Sequence, residues 1–345
     1  MLFSDTETVV EQKTMQLLKK AMEFNATDLH LLPTTDRYEI YFRKYGKLVP
    51  ISGLPLDIGD RLISYLKFLS SLDISEKRKP QSGSFEHIFN DQNVSFRVST
   101  LPSVFMRESL VIRLMLQNRT VPITELSMFC ESAKDLIRLV EQPQGILLMT
   151  GPTGSGKSTT LYSLINHLSN MHQKHIISLE DPVENNQSHL LQIQVNERAG
   201  VTYSVGLKAI LRHSPDVIMI GEIRDRETAH IAIEAVLTGH LVVSTIHSKD
   251  TVGCLYRLLD LGISLEELKQ TVIGIVAQRL VPLQESKKLT AIFEILSDKY
   301  LDQSFKAIEN KISYELPFEK TLEGQIEKGV QFGAIASQHS TKKMD

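Results

Sequence analysis

Gly151-Pro152-Thr153-Gly154-Ser155-Gly156-Lys157-Ser158-Thr159 decides how this chain is read, because it fits the pattern G-x-x-x-x-G-K-[ST]. Gly151, Gly154 and Gly156 let the backbone curl until several N–H groups converge on one anion-sized hollow, which Pro152, Thr153, Ser155 and Thr159 complete. Lys157 then brings a mobile cation to the β- and γ-phosphates of a nucleotide, and the Ser158 hydroxyl supplies one ligand to Mg²⁺. Thr159 and Thr160 open a helix through Leu161, Leu164, Ile165 and Leu168, whose positive end faces the same anion. Before the loop, Gly145-Ile146-Leu147-Leu148-Met149-Thr150 is the continuous apolar run expected of a strand buried on both faces of a parallel sheet.

Bulk properties narrow the setting. The 345 residues leave room for two domains, and 42% hydrophobic with 23% charged residues describe an ordinary globular chain. No apolar run reaches bilayer-spanning length, and Met1-Leu2-Phe3-Ser4-Asp5 lacks the basic and apolar parts of a signal peptide, so the sequence predicts a cytosolic protein. Cys130 and Cys254 stand far apart without a Cys-x-x-Cys pair, which indicates neither disulfides nor zinc and predicts two buried or half-buried thiols. A net charge of -3 argues against a protein that coats nucleic acid, and no direct nucleic-acid binding is expected.

Along the chain, Ser4 and Glu7 make a capping box before a helix with apolar positions Val10, Leu17, Leu18, Ala21 and Met22. Asp28–Leu32 predicts a strand ended by Pro33; Tyr38, Ile40 and Phe42 alternate up to a turn at Gly46. A second helix through Leu62, Ile63, Leu66 and Leu69 follows, then strands around the turn Asn90-Asp91-Gln92-Asn93 and a last strand Leu110-Val111-Ile112. This order predicts a small mixed sheet in a separate α+β domain, 1–118, with a linker over 119–127. Over 128–335 helices alternate with apolar runs at Ile146–Met149, Ile176–Leu179, Val217–Ile220, Leu241–Ser244 and Leu289–Ile295, the rhythm of an open, mostly parallel α/β sheet. A polar tail occupies 336–345.

Three polar clusters follow predicted strands, where ligands bind in such sheets. Glu180-Asp181-Pro182-Val183-Glu184 is either a solvated turn or a group of carboxylates that meets metal or water, with Glu180 the first of them. Asp216-Val217-Ile218-Met219-Ile220-Gly221-Glu222 places a carboxylate beyond a buried strand, where Glu222 can hold the Mg²⁺ water shell or deprotonate an attacking water while Asp216 bonds locally. His240 and His247 bracket another strand and are either structural or bonded to the γ-phosphate or catalytic carboxylate. Arg224 and Arg226 are ion-pair partners or phosphate and interface contacts.

In this order the motifs closely resemble the secretion ATPase superfamily, the motors of type II secretion and type IV pili, with Walker A at Gly151–Thr159, an acidic box at Ile177–Glu184, Walker B at Asp216–Asp225 and a His box at Thr238–His247. Ala26-Thr27-Asp28-Leu29-His30-Leu31 resembles a segment of the same family's first domain. The resemblance implies a PAS-like N-terminal domain, a RecA-like P-loop ATPase domain, ATP with Mg²⁺, and a homo-hexameric ring acting on an inner-membrane platform protein from the cytoplasmic side. It also implies that Arg97 and Arg113 are phosphate-sensing arginines of the first domain, the alternative being two exposed strand arginines. After Gln278-Arg279-Leu280-Val281-Pro282 the family's tetracysteine zinc insert is missing, so no zinc is expected. A compact member without a long N-terminal extension is similar to the competence ATPases of Gram-positive bacteria, which assemble a DNA-uptake pseudopilus. A retraction motor, a type II secretion ATPase, a nucleic-acid translocase and a nucleotide-binding scaffold without turnover are the other readings.

Overall fold

The strand that feeds the glycine loop lies in the middle of a seven-stranded sheet in the computed structural model, and a second sheet of six strands is built from the first third of the chain. The structure describes residues 9–336 except 45, 90–91, 105–106, 117–120, 173, 188 and 287. The capping pair Ser4 and Glu7, the turn residues Asn90 and Asp91, the linker's first two positions and the tail beyond 336 lie outside them. Two compact units divide the chain, Met1–Arg119 and Thr120–Asp345.

The first unit runs α1 (Val9–Glu23), β1 (Asp28–Pro33), β2 (Arg37–Lys44), β3 (Lys47–Pro55), α2 (Leu56–Leu69), β4 (Gln81–Phe89), β5 (Gln92–Pro102) and β6 (Glu108–Leu116). Its strand order is β3-β2-β1-β6-β5-β4, and every neighbouring pair is antiparallel. That corrects the expectation of a mixed sheet: four of the five pairings join consecutive strands, and each tight return reverses direction. The third strand escapes sequence reading because Pro50 and Gly53 interrupt it, which an edge position tolerates. Alternate residues Leu29, Leu31, Ile40, Phe42, Phe96, Val98, Leu110 and Ile112 bury one face of the sheet against Leu18 and Ala21 of α1 and Ile63 and Leu66 of α2. Inside this unit Lys67 Nζ meets both oxygens of Glu108 at 2.9 and 3.1 Å and the carbonyl of Glu76 at 2.7 Å.

The second unit begins with α3 (Ile123–Leu126) and α4 (Cys130–Val140), followed by β7 (Gly145–Thr150), α5 (Lys157–His172), β8 (Ile176–Glu180) and β9 (Leu191–Gln194). It continues through α6 (Tyr203–Ile210), β10 (Val217–Ile220), α7 (Arg226–Leu237), β11 (Leu241–Thr245), α8 (Thr251–Asp260) and α9 (Leu265–Thr271). The strands β12 (Val272–Pro282) and β13 (Leu289–Ser297) then form a hairpin, and α10 (Asp298–Glu309) and α11 (Leu322–Gln331) close the unit. Strand order is β13-β12-β7-β11-β10-β8-β9, parallel throughout except for β13. Ile146 and Leu148 bury against α6 to α10 on one face, and Leu147 and Met149 against α3, α4 and α5 on the other. Both faces are therefore covered, which is why these strands read as unbroken apolar runs. Glu294 of β13 receives Thr251 N and Oγ1 on one oxygen and Leu322 N on the other, so one buried carboxylate caps both α8 and α11. Cys254 is buried, and Cys130 is exposed, contrary to its expected burial, because it opens α4 at a surface turn. Among the described residues no helix is long and apolar enough to cross a membrane.

Removing one partner of the Lys67–Glu108 pair strands the other charge in the interior. Lys67→Met should destabilise the first unit by about 3–5 kcal/mol, with most of the loss recovered in Lys67→Met/Glu108→Leu, as measured by urea unfolding.

Candidate nucleotide-hydrolysis site

Parallel strands place the loops after β7, β8, β10 and β11 on one edge of the sheet, and the site is assembled there. After β7 the chain turns through Gly151, Gly154 and Gly156 at φ of 137°, 80° and 86°, a region that L side chains rarely adopt. Space forbids side chains as well: a Cβ on Gly151 would lie 2.6 Å from the Gln278 carbonyl, and one on Gly156 would lie 2.9 Å from Gln278 Nε2. Gln278, buried in β12, is thus the floor of the loop, a role that sequence reading did not assign it. Thr150 fastens the loop's entry to the segment that follows β11, accepting from Ser248 N and donating to Ser248 O, both at 2.9 Å.

Lys157 begins α5, and its Nζ donates to the carbonyls of Gly151 at 2.8 Å and Pro152 at 3.1 Å. Burial lowers its pKa, and the nearby carboxylates Glu222 and Glu184 oppose that shift. Ser158 follows half-buried in the helix's first turn. Ser155 Oγ, Thr160 Oγ1 and Gln278 Oε1 are buried around the loop without a hydrogen-bond partner among the described residues. Three positive-φ glycines, buried hydroxyls without a partner and a helix N-terminus fit a phosphate chain, and Ser158 and Glu222 are the groups that would hold its Mg²⁺.

Opposite the loop, the exits of β10 and β11 are tied together: Thr245 Oγ1 donates to Gly221 O at 2.7 Å and Ile223 N to Thr245 O at 2.9 Å. Glu222 and His247 therefore leave their strands side by side. Glu222 Oε1 lies 3.0 Å from His247 Nε2, and Oε2 accepts from Arg224 Nε at 2.7 Å. The carboxylate is 13% exposed, against 62% for His247 and 60% for Arg224, so two exposed groups hold one recessed carboxylate. Unlike a fully buried carboxylate, Glu222 keeps an opening to solvent, which suits activation of a water molecule. Arg226 instead donates to His230 within α7, and Asp216 bonds the His175 amide at the far end of β10.

Two expectations are corrected. His240 precedes β11, where its carbonyl accepts from Gly145 N and its Nδ1 sits 2.9 Å from Ala235 O. At about 3.3 Å per residue, the intervening strand holds it on the opposite edge of the sheet from His247, so it does not reach the phosphate end of its own unit. Glu180 is buried, with Oε1 accepting from Ser178 Oγ at 2.7 Å and Gln192 Nε2 at 3.2 Å, and Oε2 from Tyr162 OH. Those donors make it the anchor of α5 in place of a metal or water ligand, and together with burial it raises the Tyr162 pKa. Glu184, four residues on and exposed, is the acidic-box carboxylate that Lys157 feels. Tyr203 of α6 packs on Gly221, and burial beside Asp181, offset by Arg224, pushes its pKa up to about 12. In the first unit, Arg97 and Arg113 are direct cross-strand partners on β5 and β6.

Residues 4–315 match the family model described as "Type II/IV secretion system protein". The chain is 42% identical over 345 residues to "Competence protein ComGA" of Bacillus subtilis strain 168, covering 95% of this chain and 96% of that protein. It is 40% identical over 282 residues to "Type II secretion system ATPase E" of Vibrio cholerae, covering 81% of this chain and 56% of that protein. Among solved structures, the Legionella pneumophila ATPase DotB aligns with a TM-score of 0.77 at 22% identity, covering 98% of this chain and 96% of that one. The pilus retraction motor PilT with bound ADP aligns at 0.70 and 24%, covering 98% and 95%. These likenesses establish the RecA-like P-loop ATPase fold. With four motifs in order, the phosphate loop facing Glu222 and a family match across most of both units, the chain belongs to the type II/IV secretion system protein family and is an ATP hydrolase.

Proposed function

We propose that this secretion-family motor ATPase assembles a competence pseudopilus for DNA uptake. The contact of Glu222 with His247, across from the Lys157 loop, carries the enzymatic part of the reading. The 42% identity that runs through 96% of "Competence protein ComGA" supports the cellular part. Lys157, Ser155 and the loop amides bind the phosphates, and Ser158 with Glu222 holds Mg²⁺ in a form that neutralises phosphate charge. Glu222 takes the proton of the attacking water, His247 orients Glu222, and Glu184 shares the task of placing water or metal, while Glu180 keeps α5 in register.

The first unit is the PAS-like domain of this reading, and its Arg97 and Arg113 meet the nucleotide phosphates when the two domains close. The chain works as a homo-hexamer at the cytoplasmic face of the plasma membrane. It passes the closing motion to an inner-membrane platform protein and binds no nucleic acid itself. A type II secretion role is the second reading, favoured by the 40% identity to the Vibrio cholerae ATPase.

Phosphate release with Mg-ATP, together with oligomer mass on the same samples, tests the enzyme. Lys157→Ala should abolish turnover, and activity equal to wild type would sink the site. Glu222→Gln should lower kcat by about 10²- to 10⁴-fold while nucleotide binding persists. His247→Ala should cost about 10- to 100-fold in kcat, the worth of a hydrogen bond to a charged group, whereas His240→Ala should stay within about twofold of wild type. Transformation efficiency of a competence-deficient strain carrying wild type or Glu222→Gln separates pseudopilus assembly from secretion: restored DNA uptake with the first and none with the second is the expected result.

A further inference from the structure

Four strands of the first unit carry a row of charged residues. Register pairs Arg43 of β2 with Asp28 of β1, Asp28 with Arg113 of β6, and Arg113 with Arg97 of β5. Residues paired across antiparallel strands project from the same face, and their sequence neighbours Phe42, Leu29, Ile112 and Phe96 bury against the helices from the other. The row therefore occupies the face turned away from α1 and α2.

Asp28 differs from its neighbours in the row. Its side chain is 7% exposed, against 62% for Arg113. Oδ1 accepts from Arg113 Nε at 2.9 Å, while Oδ2 accepts from Thr27 Oγ1 at 2.9 Å and lies 3.9 Å from Arg43 Nε. The carboxylate is thus held by a hydroxyl as well as by the arginines. By taking Nε alone it sets the plane of the Arg113 guanidinium and leaves Nη1 and Nη2, which meet no acceptor among the described residues, as a preset pair of donors. Such a pair matches two oxygens of one phosphate. Asp28 also sets a negative charge beside Arg113, which stands directly opposite Arg97, a like-charge pairing that is otherwise unfavourable.

We propose that Asp28 is a positioning residue for hydrolysis, aiming the Nη pair of Arg113 at an anionic oxygen of the nucleotide's phosphate chain. The inference rests on the reading in which Arg113 meets the nucleotide. Its effect belongs to the transition state: a preset guanidinium loses less freedom as charge develops, so kcat should depend on Asp28 while ground-state binding of ATP hardly does.

The test measures Mg-ATP turnover by the full-length protein as wild type, Asp28→Asn, Asp28→Glu, Arg113→Ala, Arg113→Lys and the doubles that combine Asp28→Asn with each Arg113 change. Thermal unfolding is followed on every sample. Asp28→Asn should lower kcat about 10-fold or more, with KM within about twofold. Added to Arg113→Ala or Arg113→Lys, it should lower kcat by less than about twofold further, because the aimed group is already gone. Arg113→Lys keeps the charge but loses the Nε contact and the Nη pair together, so it should lower kcat at least as far as Asp28→Asn; Asp28→Glu, which keeps the charge but displaces the carboxylate, should lower kcat in the same way and provides the readout if Asp28→Asn folds poorly. Normal kcat in Asp28→Asn beside an impaired Arg113→Ala overturns the positioning role and leaves the sensing role of Arg113 standing. An Asp28→Asn defect of full size in the Arg113→Ala background overturns it too, assigning Asp28 to the fold. Normal kcat in Arg113→Ala removes both the sensing role and the inference built on it.

Discussion

Parallel pairing of β7 with β11, β11 with β10 and β10 with β8 is the constraint on which the site depends. Because the strands run the same way and stay in register, the strand ends Thr150, Glu180, Ile220 and Thr245 all lie at one edge, and whatever follows them is delivered there. The bonds between Thr245 and Gly221, and between Thr150 and Ser248, fasten these exits laterally. Candidate site residues on four separate loops are thereby held by a framework whose strands are buried on both faces. Precision at the edge is inherited from packing in the middle.

What could be read in the sequence was what depends on local chain chemistry. The phosphate loop is one continuous segment whose glycines declare their own geometry, and Glu222 follows a buried strand directly. The alternation of helix and strand in the second unit was equally plain, because each strand forms a closed apolar run. The role of Glu180 was not legible, since its decisive donor, Tyr162, comes from the middle of the preceding helix and Gln192 from a strand of only four residues. Gln278 was hidden for a similar reason: its contact with Gly151 and Gly156 exists only once β12 lies beside β7. His240 was legible in principle. The phosphate loop follows its strand, so a residue that precedes a parallel neighbouring strand belongs to the other edge.

Charge is distributed over the site with a clear division of labour. Glu222 and Glu184 stand near enough to Lys157 to oppose the lowering of its pKa, whereas Glu180 is withdrawn into the interior and surrounded by donors. The first unit repeats this economy: Asp28 is recessed and the arginines it contacts are exposed. In both places a buried anion steadies a more mobile group, a helix in one case and a cation in the other.

The double cap made by Glu294 has a mechanical consequence. Its strand, β13, is zipped over nine residue pairs to β12, the strand that supplies the floor of the phosphate loop. The same carboxylate starts α8 just past His247 and α11 near the end of the described chain. Contacts from α11 thus run along two routes, one through the hairpin to the glycine loop's floor and one through α8 toward His247. One buried carboxylate thereby ties the start of α11 to the floor of the glycine loop on one side and to the start of α8 on the other, so the three cannot shift independently.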